Sequence, residues 1–294
     1  MTTAALRSRI SEQERASFAR DGFLLKPGYL DVERLIRPLQ RELGLLIAHA
    51  ARSCGTSYIV PKDPADFEAG YLELVARFPA VHKLVYDNAK NMISFQRLIV
   101  CDELHDLFCE LRSSGFAGTA PSWNGIRIDS PGDQLHNSPW HQEFQYQFRS
   151  LDGLVLWTPL VPVTPEMGPV IIAAGSHVEG VVPLEDHTGT GESDMARGEY
   201  SALRCPNEEE LIGRYPQVAP PSQPGDLFAI DFLTLHASGR NVSNRARFTV
   251  QLRYFNFEDP YGTSIGWTGG LKHGTSLAEA NAKLERARPF LENA

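Results

Sequence analysis

The feature that most restricts the fold is a change of period near Pro121. From there to about Phe257 the apolar residues come in short runs with two-residue alternation, cut by Gly and Pro. Alternation of this kind marks strands, because successive strand side chains point to opposite faces. The runs cover 123–129, 140–149, 154–160, 170–173, 227–232 and 248–257. Many short strands in one block, with helical spacing before it, predict a mainly β chain with flanking helices: a sandwich or jelly roll. No internal repeat and no second core is visible, so residues 1–294 are expected to form a single domain. It divides into a mostly helical part (1–118), a jelly-roll core (119–260) and a C-terminal helix (271–294).

The flanking helices carry their own punctuation. Ser11 and Glu14 form a capping box, and Gly22 closes that helix before a short strand at Phe23-Leu24-Leu25. Asp31 caps a second helix running towards Cys54, in which Pro38 is expected to introduce a kink. Residues 55–66 suit a loop, and helical spacing resumes from Phe67 to Leu111. Ser276 opens a last helix, expected to stop near Arg288 because Pro289 disfavours helical geometry in the residue before it. Residues 185–210 are polar and without period, which suits a long loop or lid.

Charge excludes some functions. A net charge of -8 leaves no basic face for nucleic acid, and no polybasic segment suggests a membrane anchor. No apolar run reaches the length of a membrane span. The N-terminus lacks the h-region of a signal peptide, and the four cysteines show neither zinc nor C-x-x-C spacing. A cytoplasmic protein with reduced thiols is therefore expected.

The chemistry concentrates in Trp140-His141-Gln142-Glu143. On a strand, His141 and Glu143 project to one face. Two histidines and one carboxylate are the ligand set of non-haem iron(II) oxygenases. The second histidine is best supplied by His236, which ends the apolar run that begins at Leu227. An isolated H-x-E arises often by chance, so further features must carry the reading. Arg247, eleven residues after His236, enters a buried run, where a guanidinium is costly unless it meets an anion. An exposed arginine at a strand start is the alternative, and it fits Arg245 better.

In order along the chain, this sequence resembles the phytanoyl-CoA dioxygenase-like family of iron(II)/2-oxoglutarate oxygenases. Trp140-His141-Gln142-Glu143 is similar to that family's W-H-x-D, and Leu156-Trp157-Thr158-Pro159-Leu160 to its following strand. Gly168-Pro169, Gly175-Ser176-His177, Pro224-Gly225-Asp226, His236-Ala237-Ser238 and Arg247 continue the order, and Asp21-Gly22-Phe23 precedes it. The likeness spans roughly 11–257. It implies a double-stranded β-helix (cupin-like) core, iron(II) on His141, Glu143 and His236, and 2-oxoglutarate and O2 as co-substrates. It also implies Arg247, helped by Ser238, on the distal carboxylate of 2-oxoglutarate, with Asn124 and Trp157 flanking it. The chain departs from the pattern at Glu143, where the family usually has Asp. A carboxylate at this position argues against a halogenase.

Strand parity suggests more. Gln145, Gln147 and Arg149 would share the face of His141 and Glu143 and touch a small polar metabolite or sugar-like molecule; otherwise the strand leaves the site after Glu143 and they are solvated. Phe144, Tyr146 and Phe148 would form the opposite, core face against the N-terminal helices. His136 either gates the site or lies on a surface loop, and His177 is expected to fix a turn. Arg127, out of phase with Asn124 and Ile126, would face another side or form an ion pair. Two other classes compete with an oxygenase that releases succinate and CO2. One is a cupin-like metal-dependent isomerase or hydrolase, which would not need Arg247; the other is a non-catalytic jelly-roll binding module.

Overall fold

The computed structural model describes residues 9–132, 137–187, 203–270 and 275–292. In the first part, α1 (Glu12–Asp21) leads through Gly22, at φ 69°, into β1 (Phe23–Lys26). Both bonds of the Ser11–Glu14 capping box are present. Asp31 caps a π-helical turn, Val32–Ile36, which runs into α2 (Arg37–Ser53). Pro38 thus falls at the start of α2, directly after the π-helical turn. Four shorter helices follow: α3 (Tyr71–Arg77), α4 (Pro79–Ala89), α5 (Ile93–Ile99) and α6 (Asp102–Arg112).

The strands are β2 (Ala117–Thr119), β3 (Gly125–Asp129), β4 (Leu154–Pro159), β5 (Val170–Ala173), β6 (Glu185–Asp186), β7 (Leu203–Arg204), β8 (Gln217–Val218), β9 (Leu227–Asp231), β10 (His236–Ser238) and β11 (Arg247–Asn256). The larger antiparallel sheet has the order β1-β9-β4-β11-β2, with β3 paired to the first half of β11. The smaller sheet is β10-β5-β8. The two sheets enclose a cavity of ≈ 320 Å³ lined from β3, β4, β9 and β11 on one side and from β5 and β10 on the other. Helix α7 (Glu208–Gly213) follows the β6–β7 pair, so the ends of the expected 185–210 loop are ordered elements; residues 188–202 lie outside the described residues, as do His136 and His273.

β11 is the two-sided element that organises the fold. Phe248, Val250, Leu252 and Tyr254 face outward and are buried, Phe248 edge-on to Phe67 (4.9 Å) and to Tyr71 (5.2 Å) under the helical layer. Burying a phenylalanine of this kind is worth about 1.5–3 kcal/mol. Arg247, Thr249, Gln251 and Arg253 alternate with them and line the cavity. One hydrophobic cluster runs from Ile10 to Ala287 through helices and strands alike.

Two expectations are corrected. The chain is not mainly β: helix accounts for 42% and strand for 19% of it, because the helical layer and the short connecting turns outweigh a jelly roll of short strands. The last helices, α8 (Pro260–Ser264) and α9 (Leu277–Leu291), include one that passes through Pro289 instead of stopping at Arg288. Pro289 sits in the final turn, and the chain winds on far enough for Glu292 N–H to reach the carbonyl of Arg288.

Candidate metal centre

His236 opens β10 opposite Ile172, and His141 pairs with it across the sheet edge through reciprocal backbone bonds of 3.1 and 3.0 Å. This pairing sets the two imidazoles side by side, with ring centroids 4.3 Å apart. His141 Nδ1 lies 2.8 Å from the carbonyl of Pro139 and His236 Nδ1 2.9 Å from that of Thr234. A carbonyl only accepts, so Nδ1 carries the proton in each ring and Nε2 is left as the donor atom.

Glu143 reaches the same point by a route that strand parity did not anticipate. Residues Glu143–Gln145 form a 3-10 turn, not a strand. The turn is tied down by amides: Gln142 Nε2 donates to the carbonyls of Gly180 (2.6 Å) and Leu233 (2.7 Å), and Gln142 Oε1 accepts from Val182 N–H. The ligand atoms of His141, Glu143 and His236 lie within 4.8 Å of one another, and all three residues are buried. His236 Nε2 is 3.9 Å from Glu143 Oε2.

The protonation states suit a divalent cation. Burial, and then the neighbouring His236, push His141 down to about 3; burial likewise lowers His236. Burial alone would raise Glu143, but the Arg253 guanidinium, with help from His141 and His236, brings it below the ordinary carboxylate range. Two neutral imidazoles and one carboxylate are what non-haem iron requires, and the donor set fits that metal.

Beyond the ligands lies a chain of charge. Arg247 is buried, with Nε and Nη2 on Asp129 Oδ2 (3.2 and 3.0 Å) and Nη1 on the carbonyls of Met167 (3.2 Å) and Gly239 (3.0 Å). Asp129 also accepts from Arg127 (2.8 Å), which donates to Ser138 Oγ (2.8 Å); Ser138 N–H donates to Ser238 Oγ (3.1 Å). Arg247 and Ser238 are thus two ends of one network, and Arg127 makes the ion pair considered for it, on the cavity side. The carbonyls that hold Arg247 depend on two glycines. A Cβ on Gly239 would stand 2.2 Å from Pro169 O, and one on Gly168 2.5 Å from the Gly239 backbone, at φ 70°. Asn124 lines the cavity and receives the backbone N–H of Arg253 on Oδ1 (2.8 Å); Trp157 lines it edge-on to Phe228.

Gln145, Gln147 and Arg149 do not line this cavity. Gln145 is spent on Val182 O (3.0 Å) and Cys205 Sγ (3.3 Å), and Gln147 accepts from Arg149 (2.7 Å). The 3-10 turn rotates alternate residues away from the metal point, so the parity inference fails. The aromatic row splits for the same reason. Phe144 and Phe148 pack on each other, and Phe144 on Tyr261 beside the C-terminal helices; Tyr146 turns to the cavity, edge-on to His141 at 5.2 Å. His177 holds the carbonyl of Ala19, as a turn-fixing histidine should. Sequence reasoning missed Arg253, Gln251 and Thr249. Their two-residue spacing from Arg247 was a usable signal.

A family model for phytanoyl-CoA dioxygenase (PhyH) matches residues 18–249. The chain belongs to that family, a class of non-haem iron, 2-oxoglutarate-dependent enzymes. Among solved structures it is similar to the non-haem α-ketoglutarate-dependent carbocyclase SnoK of nogalamycin biosynthesis (14% identity, 90% of this chain, 93% of that one, TM-score 0.54). It is also similar to the corresponding epimerase SnoN (18%, 90% and 94%, 0.52) and to EctD from S. alaskensis (20%, 85% and 79%, 0.54). These likenesses establish the shared jelly-roll fold. No curated protein matches the chain.

Proposed function

We propose that the protein is an iron(II)/2-oxoglutarate dioxygenase that hydroxylates a small polar metabolite or sugar-like molecule. The observation that carries this reading is the pairing, in one cavity, of the His141–Glu143–His236 cluster with a buried arginine network. When bound, iron(II), 2-oxoglutarate and O2 together supply the oxidising power to functionalise a C–H bond, with succinate and CO2 released. The chain's own part is positional. His141, Glu143 and His236 would hold the iron from one side. Arg247 anchors the distal carboxylate of 2-oxoglutarate, with Ser238 beside it, and Asp129 keeps the guanidinium aimed. Arg127, Arg247, Arg253 and Lys90 stand against Asp129, Glu143 and Asp87 in and around the cavity, an excess of positive charge that favours a dianionic co-substrate.

The substrate class rests on the cavity wall. Trp123 and Tyr146 offer aromatic faces, while Asn124, Gln251, Asp87 and Lys90 offer hydrogen-bonding groups. Such a mixture suits a compact ring or chain bearing hydroxyl or amide groups. Because SnoK and SnoN, by their names, close a ring and epimerise, the same C–H chemistry can end otherwise than in hydroxylation. Residues 1–294 are read as one catalytic unit, supported by the continuous core, and a cytoplasmic location is supported by four free cysteines. Among the described residues no helix is long and apolar enough to cross a membrane.

The test is an anaerobic titration with iron(II) and 2-oxoglutarate, read by the visible metal-to-ligand charge-transfer band. A band that disappears in His236→Ala supports the reading, and substrate screening by succinate release follows. Iron bound without a band would favour a cupin-like isomerase or hydrolase. No metal binding would leave a jelly-roll binding module.

A further inference from the structure

Arg253 stands on β11 six residues beyond Arg247 and on the same face, yet it turns to the metal ligand instead of the co-substrate end of the cavity. Its Nε donates to Glu143 Oε1 at 3.0 Å and its Nη2 to Glu143 Oε2 at 3.3 Å. The two oxygens are not equivalent. Oε1 takes the shorter bond, whereas Oε2 takes the longer one and faces His236 Nε2 at 3.9 Å. Arg253 is itself held from elsewhere. Nη1 donates to the carbonyl of Trp123 (2.7 Å), Nη2 to Gln251 Oε1 (3.2 Å), and its backbone N–H to Asn124 Oδ1 (2.8 Å). The guanidinium is therefore held by groups other than Glu143 as well.

We propose that Arg253 is the positioning residue for the Glu143 ligand: its two-pronged contact fixes the carboxylate in the orientation in which Oε2, the oxygen facing His236, would meet a metal. The inference rests on reading His141, Glu143 and His236 as a metal centre. It gives a reason for glutamate at this position. Glu143 starts from a 3-10 turn and must reach both the histidine pair and a guanidinium on the facing sheet. An aspartate would draw the carboxylate back by about one C–C bond, ~1.5 Å, and would give up one of the two contacts. Held on both oxygens by the guanidinium, the carboxylate would keep a fixed orientation towards an iron on His141 and His236. An outer partner that orients a ligating carboxylate governs affinity as well as geometry.

The experiment is anaerobic iron(II) titration of the full chain, with the 2-oxoglutarate charge-transfer band as second readout and thermal melting as the folding control. Variants are Arg253→Gln, Arg253→Lys, Glu143→Asp and the Glu143→Asp/Arg253→Gln pair. Arg253→Gln is expected to weaken iron(II) binding roughly 10- to 100-fold and to shift the band, with Arg253→Lys recovering part of the loss. Glu143→Asp should weaken binding in the wild-type background and cost clearly less once Arg253 is gone. Folded Arg253→Gln that binds iron(II) as tightly as wild type, with an unmoved band, overturns the proposal. Should both Arg253 variants fail to fold, Glu143→Asp decides: wild-type affinity and band position there overturn it equally. If wild type itself binds no iron(II), the metal-centre reading fails, an outcome distinct from either of these.

Discussion

Asp129→Asn is the perturbation whose consequences the structure specifies most fully. Asp129 is 2% exposed and lies between two buried guanidiniums, with contacts of 2.8 Å to Arg127 and of 3.2 and 3.0 Å to Arg247. Asparagine keeps the shape but removes the negative charge that faces Arg247, and its NH2 would meet a donor. Removing one partner of a buried pair costs about 3–5 kcal/mol, because the surviving charge is left uncompensated. At roughly 2–4 °C per kcal/mol for a chain approaching this size, the melting temperature should fall by about 10 °C. The loss should depend on pH in a defined direction. The Asp129 carboxyl, held below 3.8 by Arg127 and Arg247 against the opposing effect of burial, is more acidic folded than unfolded. Its contribution is therefore complete well above pH 3.8 and disappears as the pH falls through its lower folded value. Melts of wild type and Asp129→Asn should differ most near neutrality and converge in acid. The titration of 2-oxoglutarate should weaken in parallel, since Arg247 loses its aim. Equal melting temperatures at pH 7 together with unchanged 2-oxoglutarate binding would refute the claim that this carboxylate organises the cavity.

Arg247→Lys keeps the charge but loses the fork that grips Asp129 and two carbonyls; 2-oxoglutarate affinity should drop about 10- to 100-fold, as expected for losing ~1.5–3 kcal/mol of charged hydrogen bonding, with iron(II) affinity little changed. Gly239→Ala places a Cβ against Pro169 O and the Gly168 backbone, which cannot swing aside. Its melt should report a loss of about 1–3 kcal/mol or more, and succinate formation should fall with it. Phe248→Ala acts on the opposite face of β11: chemical denaturation should show about 3–5 kcal/mol less stability, while the charge-transfer band of the folded fraction keeps its position. A displaced band would mean that the two faces of the strand are not independent.

Much of this site was legible in the chain because its determinants are local. His141 and Glu143 are two residues apart, His236 closes an apolar run, and Arg247 opens another; residue type and order identified them without coordinates. The capping box at Ser11 and the strand runs at 154–160, 170–173 and 227–232 were readable for the same reason. The 140–149 segment was not. Its alternation is that of a strand, but the Gln142 and Gln145 amides bind carbonyls of residues 180, 182 and 233, and those bonds wind it into a turn.

Residue chemistry and spacing by themselves determined which side chains could hold a metal, which arginine could meet an anion, and that short strands would form a sandwich or jelly roll with flanking helices. Tertiary structure alone decided that Asp129 bridges two arginines, that Gln145, Gln147 and Arg149 stay out of the cavity lining, and that Arg253 meets Glu143 across 110 residues of chain. The physical reason is register. Which residue faces which across β3, β11 and the turn at Glu143 depends on how the sheets are packed and paired, and shifting a strand by one residue sends every side chain to the other face.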